Sequence, residues 1–288
     1  MKIAVASGKG GTGKTTLSLA LAGYLANRGY RVSLMDCDVE EPNVNLFLKA
    51  NIRAVEQVSV PIPVVDGDKC TGCGLCERIC AFNAIAVVSG KPLIFKDICH
   101  SCGGCMLVCP ERAIREVPKE IGDIEEGSAG AISYIGGRLR VGEAISPPLI
   151  GAVRKHYADS HYTVIDAPPG TSCPVMAAVR GCDAIVLVTE PTPFGLHDLK
   201  LAVETMKRLD YPLGVVINRA GMGDDGVERY CAEEGISVLA SLAHSREIAE
   251  KYAAGEVVEE FIRFFDGELG EIVSGLERLT GIRAVEVK

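Results

Sequence analysis

Residues 8–15, Gly8-Lys9-Gly10-Gly11-Thr12-Gly13-Lys14-Thr15, satisfy the spacing G-x-x-x-x-G-K-[ST]. Glycines at these places let a backbone wrap phosphates with successive N–H groups pointing inward, at a helix N-terminus that favours anions. Lys14 is then placed to neutralise the β- and γ-phosphates and the Thr15 hydroxyl to ligate Mg²⁺, with Thr12 and Thr16 as further nucleotide-binding residues. The expected ligands are ATP or ADP with Mg²⁺. Such a site also needs carboxylates. "MDCD" sets Asp36 and Asp38 at and just past a strand end, and "VIDAPPG" sets Asp166 at the end of another. Asp166 reads as the Mg²⁺ partner, through water, with Asp36 as a further metal residue. Asp38 reads as the group that orients or deprotonates the attacking water.

The second constellation is built from cysteine. Eight of twelve cysteines fall between residues 70 and 109. Cys70, Cys73, Cys76 and Cys80 follow C-x₂-C-x₂-C-x₃-C; Cys99, Cys102, Cys105 and Cys109 repeat it 29 residues later, completed by Pro110. This is the bacterial two-cluster ferredoxin spacing, in which three thiolates wrap one cube and the fourth comes from the other run. Cys70, Cys73, Cys76 and Cys109 are thus assigned to one 4Fe–4S cluster, and Cys99, Cys102, Cys105 and Cys80 to the other. Zinc knuckles, with longer separations between ligand pairs, fit a doubled run poorly. Ala81 stands where the pattern has proline, a residue that shapes backbone and supplies no ligand. Of the other cysteines, Cys182 and Cys231 read as buried apolar residues, whereas Cys37 and Cys173 border the phosphate site.

These residues need elements to carry them. Continuous apolar strands at 2–6, 31–36, 162–167, 183–190, 213–218 and 237–241 alternate with helical stretches at 14–28, 147–158, 172–180, 195–209, 225–235, 245–254 and 266–280. That pattern predicts an α/β fold, a P-loop NTPase with a mostly parallel sheet and helices on both faces. The gap from 36 to 162 exceeds a simple crossover, so residues 66–118 are read as an inserted small ferredoxin-like α+β domain. Residues 1–65 and 119–288 then form the nucleotide domain, and 137–148 a return loop. A net charge of −8 argues against a nucleic-acid partner. No apolar run reaches 18 residues and no signal sequence is read, so the expected setting is cytoplasmic, without a membrane partner.

"KGGTGKTT" resembles the deviant Walker A signature of the MinD/ParA/Mrp ATPases. Asp36 and Asp38 look like that family's D-x-D switch I and "VIDAPPG" like its switch II. The resemblance covers the chain outside roughly 66–118, and it implies three further things. Lys9, the signature lysine, would reach the nucleotide of a partner subunit and join Lys14, Asp38 and Asp166 in hydrolysis. Asn218, in "VVINRAG", would contact adenine. The active form would be an ATP-dependent homodimer, or a heterodimer with a paralogue, serving a redox partner protein. Two departures from relatives stand out: "ASLAHS" at 240–245 lacks the usual Pro and Asp, and the C-terminal C-x-x-C of Mrp-type carriers is absent. The expected function is an iron–sulfur ATPase that couples nucleotide state to electron transfer. The alternatives are an Mrp-type cluster carrier and a MinD/ParA-like positioning switch.

Overall fold

The computed structural model describes residues 1–156, 160–255 and 257–283. In chain order the elements begin β1 (Lys2–Ala6), α1 (Lys14–Asn27), β2 (Val32–Asp36), α2 (Val44–Leu48) and β3 (Asn51–Val65). There follow α3 (Leu75–Ile79), β4 (Ile85–Val88), β5 (Lys91–Ile94), a 3₁₀ turn (Lys96–Ile98), α4 (Gly104–Leu107), β6 (Ile114–Ala129), β7 (Ile132–Leu139) and α5 (Pro147–Val153). The last part comprises β8 (Tyr162–Asp166), α6 (Cys173–Val179), β9 (Ala184–Thr189), α7 (Pro193–Lys207), β10 (Leu213–Ala220), α8 (Gly226–Glu233), β11 (Ser237–Ala243), α9 (Arg246–Ala253), α10 (Val257–Phe264) and α11 (Asp266–Thr280). The chain divides into two compact units. One comprises Met1–Val55, Ile124–Arg138 and residues from 150 onward, and the other Glu56–Asp123 with Leu139–Leu149. Part of the helix expected at 147–158 lies outside the described residues.

The strand order is β11-β10-β9-β1-β8-β2-β7-β6-β3. β1 pairs parallel with β8 and β9, and parallel pairing continues to β10 and β11 on one side and to β2 and β7 on the other. The α/β fold of a P-loop NTPase, with its mostly parallel sheet, is therefore observed. With β1 flanked by two strands from late in the chain, the loops leaving its carboxyl end diverge and open a crevice. Register places Asp36 and Asp166 side by side at the ends of β2 and β8.

One sheet face presents Ile3, Val5, Val164 and Val186 to Leu17, Leu21, Leu25, Phe261, Phe265, Leu269 and Ile272, from α1 through α11. Ala4, Ile165, Ile185 and Leu187 alternate onto the other face, which α6 and α7 cover. Unlike an amphipathic surface helix, α1 is apolar all round, and Leu17, Leu19, Leu21 and Leu25 are each at most 1% exposed. Three strands go beyond the sequence reading. β3, β6 and β7 extend the sheet past β2, and 137–139 is the end of β7, not loop. β6, "IREVPKEIGDIEEGSA", alternates apolar with charged residues and stays half exposed, so it lacks the continuous apolar run of the central strands. β6 and β7 join through Gly130 and Ala131, with Gly130 at φ 56 supplying the left-handed turn.

In the other unit the 29-residue repeat is also a repeat of backbone shape. Gly72 and Ser101, Gly74 and Gly103, and Asn83 and Arg112 are three equivalent pairs, and all six residues have positive φ. Gly74 and Gly103 precede α3 and α4 respectively. Between the copies β4 and β5 form an antiparallel hairpin, closed by Ser89 and Gly90 at φ 51 and 74, the two positive values a type I′ turn requires.

Candidate functional site

At the carboxyl end of β1 the chain encloses a cavity of about 630 Å³, within the size range of small-molecule sites. Its phosphate end is lined by Gly10, Gly11, Gly13, Lys14, Thr15 and Thr16, and its flank by Asp38, Glu41 and Asn43. Met222, Ile248 and Phe261 supply apolar lining, and Asn218 and His244 line the cavity as well. α1 begins here without a side-chain cap, so its first N–H groups remain available to an anion. Lys14 is 6% exposed on that first turn. Among the described residues, the Thr12 hydroxyl and the Asn43 side-chain oxygen are buried with no hydrogen-bond partner. An anionic, hydrogen-bonding ligand therefore fits this cavity.

Gly8 and Gly13 are required sterically. A Cβ on Gly8 would lie 2.2 Å from the Asp198 carbonyl oxygen of α7, so the loop is seated directly against that helix. Gly13 adopts φ 97, and a Cβ there would meet the Asn218 amide nitrogen at 2.3 Å. That same nitrogen donates to the Thr12 carbonyl at 2.7 Å. Asn218 thus lines the cavity and also ties the end of β10 to the phosphate loop.

The carboxylates differ in what they hold. Asp166, fully buried, accepts from the Thr15 hydroxyl at 2.7 Å and the Ser18 hydroxyl at 2.9 Å. Burial pushes its carboxyl up to about 6, against the lowering effect of the Thr15 bond and the Lys14 charge. Asp36 accepts from the amides of Asp38, Asn43 and Val44, thereby stapling the 37–44 loop. Burial and the neighbouring Asp166 raise it well above the usual carboxylate range. Asp38 lines the cavity, and burial raises it to about 6 while Lys14 opposes the rise. Among the described residues, no three His, Cys, Asp or Glu side chains converge on one metal-ion position. A Mg²⁺ here would draw on the Thr15 hydroxyl, ligand phosphates and water, as this hard, reluctantly dehydrated ion usually does.

Lys9 is held within its own chain. Its ammonium lies 3.4 Å from the Glu190 carboxylate, whose other oxygen accepts from the Arg219 guanidinium. The Ser7 hydroxyl donates to the Lys9 carbonyl.

In the cysteine-bearing unit, Cys70, Cys73, Cys76 and Cys109 line one cavity together with Gly72, Gly74 and Pro110. Three residues of one repeat thus meet the fourth cysteine of the other. Equivalent sulfurs are equivalently bonded: the Ala84 amide donates to Cys80 at 3.2 Å and the Ala113 amide to Cys109 at 3.3 Å. Phe82, two residues past Cys80, stacks on His100, one residue past Cys99, with ring centroids 3.6 Å apart. The end of the first run therefore meets the start of the second. Cys37, Cys182 and Cys231 are buried, and burial raises their thiols, so all three are unreactive packing residues here. Cys173 is exposed at the start of α6.

Residues 3–258 match the CobQ/CobB/MinD/ParA nucleotide binding domain. The chain belongs to this family. Among family relatives, it is 36% identical to the uncharacterized protein MJ0578 of Methanocaldococcus jannaschii over 226 residues, 78% of this chain and 80% of that one. It is 27% identical to the iron-sulfur cluster carrier protein of Pyrococcus abyssi over 256 residues, covering 84% and 73% of the two chains. Its fold is similar to that of the septum site-determining protein MinD of Pyrococcus horikoshii, solved with Mg-ADP. That likeness has a TM-score of 0.62 at 17% identity and covers 99% of each chain. Within this CobQ/CobB/MinD/ParA member, several residues of the site escape sequence reading. Glu190 meets Lys9, and Arg219 meets Glu190, only through the sheet order, and Asn43 reaches the cavity through the Asp36 staple. Ser18 was missed as well, although its position three residues after Thr15 puts it on the same helix face and could have found it. No helix is long and apolar enough to cross a membrane among the described residues.

Proposed function

We propose that this chain hydrolyses ATP and couples its nucleotide state to electron transfer through two 4Fe–4S clusters. The observation that carries the reading is the cavity lined by Cys70, Cys73, Cys76 and Cys109, one ligand of which comes from the other repeat. A four-thiolate set crossed between two repeats, with the Ala113 amide donating to Cys109, suits a cubic cluster. Cys99, Cys102, Cys105 and Cys80 would hold the second cluster. When bound, the clusters supply one-electron storage at low potential. The chain's own residues do the remaining work. Lys14 and the free amides at the start of α1 hold phosphates, while Thr15 and Asp166 present the Mg²⁺ side. Asp38 orients the attacking water and takes its proton. Asn218 keeps the loop closed beneath the ligand, in the cavity to which Met222, Ile248 and Phe261 supply apolar lining. Lys9 completes the charge set from a second subunit, a cation delivered to the transferring phosphoryl group.

The names of several relatives favour a second reading, cluster delivery to other proteins. One experiment separates the two. Cluster potentials are measured anaerobically without nucleotide, with ADP and with a slowly hydrolysed ATP analogue. A coupling of about 1–3 kcal/mol, typical of linked sites, shifts a one-electron potential by roughly 40–130 mV. Identical potentials in all three states refute coupling, and ATP-accelerated transfer of intact cluster to an apo-ferredoxin establishes delivery. Lys9→Ala should retain nucleotide binding and lose hydrolysis, so normal turnover refutes the role across the dimer.

A further inference from the structure

We infer that Glu190 is a positioning residue for Lys9. It holds the ammonium against its own chain until a second nucleotide-bound copy presents phosphate, and Arg219 keeps the carboxylate paired once Lys9 has left. This inference rests on the proposed reading that Lys9 acts across a dimer.

Three observations build it. First, both backbones are pinned. Gly8 sits against the Asp198 carbonyl, and the Ser7 hydroxyl holds the Lys9 carbonyl, so the backbone at Lys9 is anchored on two sides. Glu190 is seated equally firmly, because its carbonyl accepts from the Thr192 amide at 2.8 Å, and a Cβ on Gly195 would lie 2.3 Å from the same oxygen. The Thr192 side chain in turn caps α7 by accepting from the Gly195 amide at 3.0 Å. Only the Lys9 side chain, 34% exposed, is free to move.

Second, Glu190 has two cations for its two oxygens. Its side chain is 11% exposed, and a carboxylate that deep would be strongly destabilising if it lost its sole partner. With Arg219 on the other oxygen, release of Lys9 leaves a paired carboxylate, and the exchange is reversible. Third, Arg219 is itself placed by the nucleotide cavity. It lines that cavity, and its amide donates to the Asn218 side chain at 2.9 Å. The pair that restrains Lys9 is therefore built on the strand end that meets the ligand.

The test is sedimentation of the full chain over a range of concentrations, saturated with a slowly hydrolysed ATP analogue. Releasing a partly exposed lysine from a carboxylate that keeps its second cation shifts an equilibrium about 2–5-fold. Two lysines are released per symmetric dimer, so Glu190→Gln should lower the half-dimerisation concentration about 4–25-fold. Arg219→Gln should raise it, because Lys9 then becomes the only cation on a buried carboxylate. Adding Lys9→Ala to Glu190→Gln should abolish the gain. Unchanged dimerisation of Glu190→Gln, with Lys9→Ala still defective in hydrolysis, overturns the restraint and leaves the dimer reading standing. Normal assembly and turnover of Lys9→Ala overturns the dimer reading itself. Should Glu190→Gln fail to fold, the direction of the Arg219→Gln shift decides alone: tighter or equal assembly refutes the restraint.

Discussion

Replacing Gly13 with alanine tests how the phosphate loop is closed. Gly13 sits at φ 97, where a side chain costs about 1–2 kcal/mol in backbone strain. Its new Cβ would also lie 2.3 Å from the Asn218 amide nitrogen, which must swing away and give up its bond to the Thr12 carbonyl. That bond contributes about 1 kcal/mol, so the expected penalty for Gly13→Ala is about 2–3 kcal/mol. For a domain of this size the midpoint of thermal unfolding would fall by about 5–10 °C. Asn218→Ala alone should cost about 1 kcal/mol. The double variant should cost less than the sum by about 1 kcal/mol, because the bond is lost once and the clash disappears. Unfolding of the nucleotide-free protein in urea, followed by circular dichroism because the chain has no Trp, measures all four corners of the cycle. Penalties that add within about 0.3 kcal/mol would refute the contact, showing that Gly13 and Asn218 act independently.

Other perturbations reach the remaining parts of the site. Asp38→Asn should lower ATP hydrolysis by about 10²–10⁴-fold and leave nucleotide affinity nearly unchanged, as steady-state turnover and equilibrium binding will show. Cys109→Ser should halve the iron bound per chain and remove one of two cluster signals in electron paramagnetic resonance; Cys173→Ser, exposed at the start of α6, should change neither. The metal-free, nucleotide-free chain should lose stability as pH rises from 5 to 7.5. The Asp166 carboxyl is raised from 3.8 to about 6, so its protonated form stabilises the folded state; this contribution is complete below 3.8 and lost through about 6. Asp36, raised in the same direction, adds to the slope. A thermal midpoint that climbs over that range counts against the buried carboxyl pair.

The central strands and the loop were legible because their signals are local. "KIAVA" and "AIVLVT" are buried on both faces and therefore continuously apolar, and the glycine–lysine spacing fixes a backbone shape wherever it occurs. β3 was illegible for the opposite reason. Its residues 51–57 include Arg53 and Glu56 and are mostly exposed, so nothing in their pattern separates strand from linker. α10 was missed because it is short and follows a glycine, yet its Phe261 and Ile262 are buried. Lys9 and Glu190 are 181 residues apart, and Asn218 is 206 from Thr12. Pairs so distant become neighbours only once the strand order β10-β9-β1 is known. The cysteine cavity lay between these extremes: the spacing announced a crossed set, and the meeting of Cys109 with Cys70, Cys73 and Cys76 required the folded repeats.

The helix that starts at the phosphate loop has one more consequence. α1 runs from Lys14 into the middle of the apolar core and packs on α10 and α11, so its first turn cannot loosen without disturbing the whole unit. Any ligand seated on that turn adds its binding free energy to the resistance of the unit against unfolding, about 2.7 kcal/mol at a hundredfold excess over Kd. In a cell that difference is read by proteases, which sample unfolded chains continuously. The ligand-free form is then the one a protease cuts faster, a difference limited proteolysis with and without nucleotide would read.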